Sequence, residues 1–164
     1  MNKLLISACL LGDPVRYDGK SKAQQHAGLA DLLAQDRVIG FCPEVAGGLP
    51  IPRPPAEILA ADGAAVIAGD ARVVTADGGD LTPYFLSGAR QALALCQRLR
   101  IGVAVLTESS PSCGSGRIYD GSFSRSAIPG SGVTCALLEQ NGIRVFSQLQ
   151  LDDALKYLAD LVHG

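Results

Sequence analysis

Cysteine is the residue type in this sequence best suited to bind a metal or act as a nucleophile. The chain has 164 residues and five cysteines. Cys9 and Cys42 directly follow short apolar segments, and Cys113 lies a few residues beyond a third such segment. Thiolates can bind zinc or an iron–sulfur cluster, or attack an electrophile. These three cysteines are therefore the first candidates for a functional site.

The other cysteines and the histidines fit structural positions better. Cys96 and Cys135 fall within predicted helices rich in leucine and alanine. A free cysteine in such a setting usually behaves as a small buried hydrophobe. His26 lies on a predicted helix and His163 next to the C-terminus, so we expect both at the surface. Their positions do not favour a Cys–His or Ser–His–Asp nucleophile.

Alternating apolar runs and amphipathic segments predict the elements that would position the cysteines. The sequence predicts strands over residues 3–8, 37–41, 101–106 and 143–146, and helices over 23–34, 82–98, 133–141 and 151–162. It predicts a hairpin from 64–67 and 72–75, and irregular loops over 43–55, which holds five prolines, and over 107–132. This order predicts an α/β fold: a single-domain, Rossmann-like, three-layer sandwich over residues 1–164 with a mainly parallel sheet.

Such a sheet would bring the three candidate cysteines together. The carboxyl ends of parallel strands share one edge, where ligands bind. Cys9, Cys42 and Cys113 all follow predicted strands. Zinc prefers four protein ligands, or three and a water, and an iron–sulfur cluster normally has four cysteines. Three thiolates would leave one iron of a cluster open to a substrate sulfur. The residues alone leave both metals open.

Composition narrows the classes of partner. The formal net charge is −2 and the isoelectric point is near 5.6, which provides no basic surface for nucleic acid. The apolar run from Leu4 to Leu11 is interrupted by Ser7 and Cys9, and is too short for a signal peptide or a membrane span. We therefore expect a cytoplasmic protein without membrane or nucleic-acid partners. The sequence sets no oligomeric state.

Four segments of the sequence resemble a known family. They are SACLLGDPVRYDG, CPEVAGGLPIPRPPAEI, ESSPSCGSGRIYDGSF and GSGVTCALLEQNGIRVFS. Together, from Ser7 to Ser147 and in matching order, they resemble the bacterial thiouracil desulfidase-like family. The resemblance implies a 4Fe–4S cluster held by Cys9, Cys42 and Cys113. It also implies an acid/base role for Glu44 and a catalytic serine, which we carry onto Ser110, with Ser112 as the second candidate.

The function implied is a non-redox desulfuration of a thiolated pyrimidine. Thiouracil would give uracil and hydrosulfide, with the substrate sulfur bound by the open iron and Glu44 deprotonating a water. Arg16, Tyr17 and Tyr119 are candidates to contact the pyrimidine, or alternatively parts of turns anchored by aspartates.

Less specific interpretations remain open. Glu44 could pair with Arg53 or cap the proline-rich loop, and the serines could bind loop backbone. At the level of function, the alternatives are a zinc- or cluster-stabilised binding module without catalysis, and a desulfidase that acts on thiolated tRNA.

Overall fold

A computed structural model describes residues 2–161, with strands and helices alternating along the chain. Position 162 of the last predicted helix and His163 lie outside the described residues. The strands are β1 Leu4–Ser7, β2 Val38–Phe41, β3 Ala56–Ile58, β4 Val73–Thr75, β5 Val103–Leu106, β6 Arg117–Tyr119, β7 Ala127–Pro129 and β8 Arg144–Ser147. The α-helices are α1 Ala27–Ala34, α2 Pro43–Ala46, α3 Gly63–Ile67, α4 Thr82–Leu99, α5 Val133–Gln140 and α6 Leu151–Asp160.

A four-stranded sheet forms the centre of the fold. Its strand order is β2-β1-β5-β8, and every neighbouring pair is parallel. The chain moves from β1 to β2 on one side and later places β5 on the other side of β1. This change of direction leaves a crevice at the carboxyl ends of β1 and β5, which is where open α/β sheets bind ligands.

Helices cover both faces of the sheet. Leu4 and Ile6 of β1 face a core formed with α1 and α6, and Leu5, between them in sequence, faces a second core formed with α4 and α5. Alternating side chains of a strand point to opposite faces, so an apolar run buries both. The predicted α/β fold, three layers around a parallel sheet, is confirmed.

The predicted hairpin of residues 64–67 and 72–75 is wrong. Residues 63–67 form helix α3, because Asp62 caps it by accepting a hydrogen bond from the Ala65 amide at 3.1 Å, and the alanines favour a helix. The strand partner of β4 is instead β3, which pairs antiparallel with it. A third core, which includes Val66, Val73 and Phe85, joins this unit to α4.

Both predicted irregular loops contain regular structure. Within the proline-rich segment, Pro43 begins the short helix α2, since a proline at the first helical position lacks only an amide that would be unpaired there. The segment 107–132 contains the β6–β7 hairpin. Helix α1 begins at Ala27, later than predicted, because the His26 side chain caps it by accepting from the Leu29 amide.

Across residues 2–161, each helix is too short or too polar to span a lipid bilayer.

Candidate functional site

A cavity of about 740 Å³ opens at the carboxyl edge of the sheet. Its volume lies within the range of small-molecule sites, roughly 300–1,000 Å³. Cys9, Cys42 and Cys113 all line it, together with Glu44 and Ser110. The topology therefore brings into one cavity five residues from three segments that are far apart in sequence.

Each cysteine is positioned by the turn that follows a strand. Cys9 lies in the 3-10 helix Ala8–Leu11 directly after β1, and Cys42 is the residue before α2, directly after β2. Cys113 follows β5 in a turn. Cys9 and Cys113 are buried and Cys42 is half-buried, and all three thiols are free. Segments that follow three strands of the parallel sheet thus bring all three side chains to the cavity.

The electrostatics show how close these groups are. Burial raises the pKa of the Cys113 thiol, and charge on Cys42, Glu44 and Cys9 would raise it further. Burial also raises the pKa of Cys42. Several thiolates together are therefore unfavourable without a cation, because each is desolvated and repels the others. A positively charged metal centre would remove this penalty.

A buried ion pair holds Glu44. The Arg53 Nε donates to Glu44 Oε2 at 2.7 Å, and the two side chains are 4% and 15% exposed. Arg53 also donates to the backbone carbonyls of Pro50 and Val15, at 3.2 and 3.0 Å. The guanidinium thus fixes one carboxylate oxygen and ties it to two loops. The pairing of Glu44 with Arg53, one of the sequence-based alternatives, is present.

The Ser110 hydroxyl meets the other carboxylate oxygen. Ser110 Oγ donates to Glu44 Oε1 at 3.4 Å, and accepts from the amides of Ser112 and Cys113, both at 3.1 Å. With both lone pairs occupied, the hydroxyl acts as a proton donor directed at Glu44. Ser112 differs, because its hydroxyl is fully buried and bonds to Thr134 Oγ1 at 2.8 Å, away from the cavity.

The other residues that the sequence analysis singled out lie either at the cavity or in the core. Arg16, Tyr17 and Tyr119 line the cavity. Cys96 and Cys135 are completely buried in the core between the sheet and helices α4 and α5. The prediction that these two cysteines are core residues is confirmed.

Glu108 is an important residue that the sequence analysis missed. Its Oε1 accepts hydrogen bonds at 3.1 Å from four backbone amides of the loop that carries Ser110 and Cys113, namely those of Ser109, Ser115, Gly116 and Arg117. Burial alone would raise the pKa of Glu108, but these hydrogen bonds outweigh it and lower the pKa below the usual value. In the sequence, this role is indicated by the position of Glu108 directly before a Ser/Gly-rich loop, whose backbone amides need acceptors.

Comparison with known proteins identifies the family. A sequence model of the 2-thiouracil desulfurase family matches residues 4–150. The chain belongs to this family. The family predicted from the four sequence segments is therefore confirmed.

Two individual proteins are similar to this chain over nearly its whole length. The uncharacterized protein YbbK of Bacillus subtilis (strain 168) is 43% identical over 152 residues, which cover 93% of this chain and 99% of YbbK. The solved structure of TudS, a 4Fe–4S-dependent thiouracil desulfidase, is 49% identical, with a TM-score of 0.89 over 98% of this chain and 100% of TudS. The fold and its family are thus supported by independent comparisons.

The three cavity cysteines of this family member suit a cluster by the type and number of their donor groups. Among residues 2–161, no three Cys, His, Asp or Glu side chains are placed to bind one metal ion. A cuboidal cluster makes a different demand, because each thiolate binds a different iron atom at a different corner. The cavity offers three free thiols as donors to such a cluster.

Proposed function

We propose that this protein is an iron–sulfur enzyme that desulfurates a thiolated pyrimidine. Thiouracil and water give uracil and hydrogen sulfide: a carbon–oxygen bond replaces the carbon–sulfur bond, and no electrons are gained or lost. The observation that carries the proposal is the cavity in which three free cysteines face an acid/base pair, Glu44 and Ser110. Its support from comparison is the family match and the likeness to the desulfidase TudS.

Cys9, Cys42 and Cys113 would hold the 4Fe–4S cluster. With three protein ligands, the bound cluster supplies one open, Lewis-acidic iron with affinity for a soft thiocarbonyl sulfur. The burial of Cys9 and Cys113 keeps two ligands away from solvent. Cys42 is half-buried and is therefore the most exposed of the three proposed ligands.

Glu44 is the general base in this proposal. Arg53 occupies only Oε2, so Oε1 stays available to take a proton from a water that attacks the carbon bearing the sulfur. The arginine also fixes the carboxylate in place, which lowers the cost of reaching the reactive geometry. General-base assistance of this kind typically contributes ~10²–10⁴-fold to a rate.

Ser110 is the second catalytic residue in this proposal. The hydroxyl contacts Glu44 Oε1, so the serine can give its proton to the departing sulfur and be reprotonated by Glu44, which holds the proton taken from water; both groups then return to their starting states. The two amides that occupy its lone pairs hold the oxygen at a defined position. We assign the buried Ser112 a structural role, since its hydroxyl is committed to Thr134.

A free small molecule is the substrate that this site suits. Tyr17 and Tyr119 offer aromatic faces, and Arg16 a donor, for a pyrimidine ring in the cavity. The net charge of −2 argues against a nucleic-acid substrate. A cytoplasmic location, as expected from the sequence, is also part of the proposal, because an open iron requires protection from oxidation.

The experiment is anaerobic purification and reconstitution, followed by analysis of iron and sulfide and incubation with 2-thiouracil and 4-thiouracil. We expect bound iron and sulfide, and conversion of at least one thiouracil with release of hydrogen sulfide. A reconstituted protein that binds no iron, or one that binds the cluster and converts neither compound, would contradict the proposal.

Matched cysteine variants test the ligand assignment. Replacing Cys9, Cys42 or Cys113 with alanine should abolish stable iron binding, because two thiolates cannot hold the cluster in place. Replacing Cys96 or Cys135 with alanine removes a cysteine from the core and should leave the iron content unchanged. Equal iron content in both groups of variants would refute the assignment.

A further inference from the structure

Two buried hydroxyl groups lie at the ends of neighbouring strands, and one of them contacts Cys9. Ser7 is the last residue of β1 and Thr107 directly follows β5, and the two side chains belong to residues that are only 3% and 7% exposed. The Thr107 amide donates to Ser7 Oγ at 3.0 Å. Thr107 Oγ1 lies 3.0 Å from Cys9 Sγ, within hydrogen-bond distance. The backbone of one strand thus orients a hydroxyl of the other.

Ser7 holds Thr107 in position. Its Oγ accepts the hydrogen bond from the Thr107 amide, and both residues are buried, so the backbone of Thr107 is fixed next to Cys9. Ser7 therefore acts on the Cys9 sulfur through Thr107.

Cys42 has a different neighbour. Its Sγ lies 3.9 Å from the carbonyl oxygen of Val15, which can only accept a hydrogen bond. A thiolate at Cys42 has no proton to donate to this oxygen. The neighbours of the Cys9 and Cys42 sulfur atoms therefore differ: one is a hydroxyl and the other a carbonyl oxygen.

We propose that Thr107, held in position by Ser7, donates a hydrogen bond to the sulfur atom of Cys9 in the cluster-bound protein, where it tunes the cluster and helps to retain it. This inference rests on the proposed function, in which Cys9 is a cluster ligand. A ligating thiolate carries no proton, so Thr107 must be the donor in its pair with Cys9.

The physical effect follows from the direction of the hydrogen bond, in which the hydroxyl is the donor and the sulfur the acceptor. A donated hydrogen bond withdraws electron density from a thiolate, which favours the reduced cluster and raises its reduction potential. The same withdrawal makes the open iron a stronger Lewis acid toward the substrate sulfur. Residues that orient metal ligands in this way typically change metal retention by ~10–100-fold.

The test compares Thr107→Val with Thr75→Val in anaerobically reconstituted protein. Valine keeps the shape of threonine and removes the hydroxyl. Thr75 is a matched control, since it is also 7% exposed and ends a strand, while its hydroxyl bonds to the turn at Asp77 and Gly79. The readouts are the cluster reduction potential, from a spectroscopic redox titration, and the rate of iron loss to a chelator.

We expect Thr107→Val to shift the potential to more negative values and to lose iron about tenfold faster. Thr75→Val should match the wild type in both readouts. Thr107→Ser, which keeps a hydroxyl, should restore the potential at least in part. Ser7→Ala provides a second variant with the same expected direction, which keeps the inference testable if Thr107→Val does not fold.

The outcomes separate this inference from the proposed function. A wild-type protein that binds no cluster would overturn both. If the wild type binds the cluster, and neither Thr107→Val nor Ser7→Ala changes its potential or its rate of loss, the hydrogen-bond inference alone is overturned. An equal change in Thr75→Val would also overturn it, because the effect would then be one of general stability.

Discussion

Replacing Glu108 with alanine should loosen the loop that carries Ser110 and Cys113. In the wild type, one carboxylate oxygen accepts four backbone hydrogen bonds at 3.1 Å, from residue 109 and residues 115–117. Ser109 also adopts a left-handed backbone conformation with φ of 66°, which is unfavourable for a residue with a side chain. The carboxylate offsets this cost by pairing the amide of that residue.

The free energy that Glu108→Ala should lose follows from how exposed the four amides are to solvent. The amides of Gly116 and Arg117 are exposed, so water can replace the carboxylate with little loss. The amides of Ser109 and Ser115 are partly buried, and an unpaired amide there costs at least about 1 kcal/mol. We therefore expect Glu108→Ala to destabilise the closed loop locally by about 2 kcal/mol. Glu108→Gln keeps an acceptor but loses the charge, and should cost about half as much.

Hydrogen exchange measured by mass spectrometry reports this local opening. A loss of about 2 kcal/mol corresponds to about 30-fold faster exchange over residues 109–117, and the glutamine variant should give about 5-fold. Glu57→Ala is the matched control. Glu57 Oε1 accepts from the amides of Gly121 and Phe123, so its removal should accelerate exchange there and leave 109–117 unchanged.

The pH dependence of loop protection has a definite sign. The pKa of Glu108 is lowered in the folded protein, so its contribution to stability is present above the pKa of the unfolded chain, about 4.3, and is lost as the pH falls through the folded value. Protection of residues 109–117, normalised for intrinsic exchange, should therefore be constant from pH 7 to pH 5. A change of less than about threefold in Glu108→Ala would refute the anchoring role.

Two further predictions concern Glu44 and the packing beneath it. Glu44→Gln should keep the iron content and lower the turnover of thiouracil by ~10²–10⁴-fold; loss of iron together with turnover would instead give Glu44 a structural role. Gly88→Ala would place a Cβ 1.9 Å from the Pro43 carbonyl oxygen, so helix α2 must shift away from α4. We expect ~1–3 kcal/mol lower stability in urea unfolding and a reduced iron content, with Arg90→Ala, an exposed change on α4, as the control. Unchanged iron content in Gly88→Ala would show that α2 does not need this close contact.

The central fold was predictable because its signals are local. Four short apolar runs correspond to β1, β2, β5 and β8, because strands of a parallel sheet that helices cover on both faces need no alternation of polar residues. The hairpin was predicted wrongly because the local pattern of these residues is ambiguous. Residues 64–67 are apolar and short enough for either a strand or a helix, and the Asp62 cap decided for the helix. The partner strand β3 was not predicted, because it directly follows Pro54 and Pro55 in a segment whose prolines indicated an irregular loop.

Ser110 and Ser112 show what a shared motif leaves undecided. Two residues apart in one segment, they are equivalent in the sequence, but one hydroxyl meets Glu44 and the other meets Thr134. The direction of each side chain depends on the backbone path of the loop, and Glu108 fixes that path. The structure therefore ranks Ser110 above Ser112 in the proposed chemistry.

The sequence by itself determined which residues this protein has available for chemistry. It placed Cys9, Cys42 and Cys113 after strands, and parallel strands end at one edge of a sheet. Only the tertiary structure decided what surrounds these residues and their neighbour Glu44: Thr107 lies beside Cys9, Ser7 binds the Thr107 amide, and Arg53 binds Glu44. Strand formation depends on neighbouring residues in the chain, whereas Cys9 and Thr107 are separated by 98 positions. Such contacts exist only once the sheet has brought its carboxyl ends together.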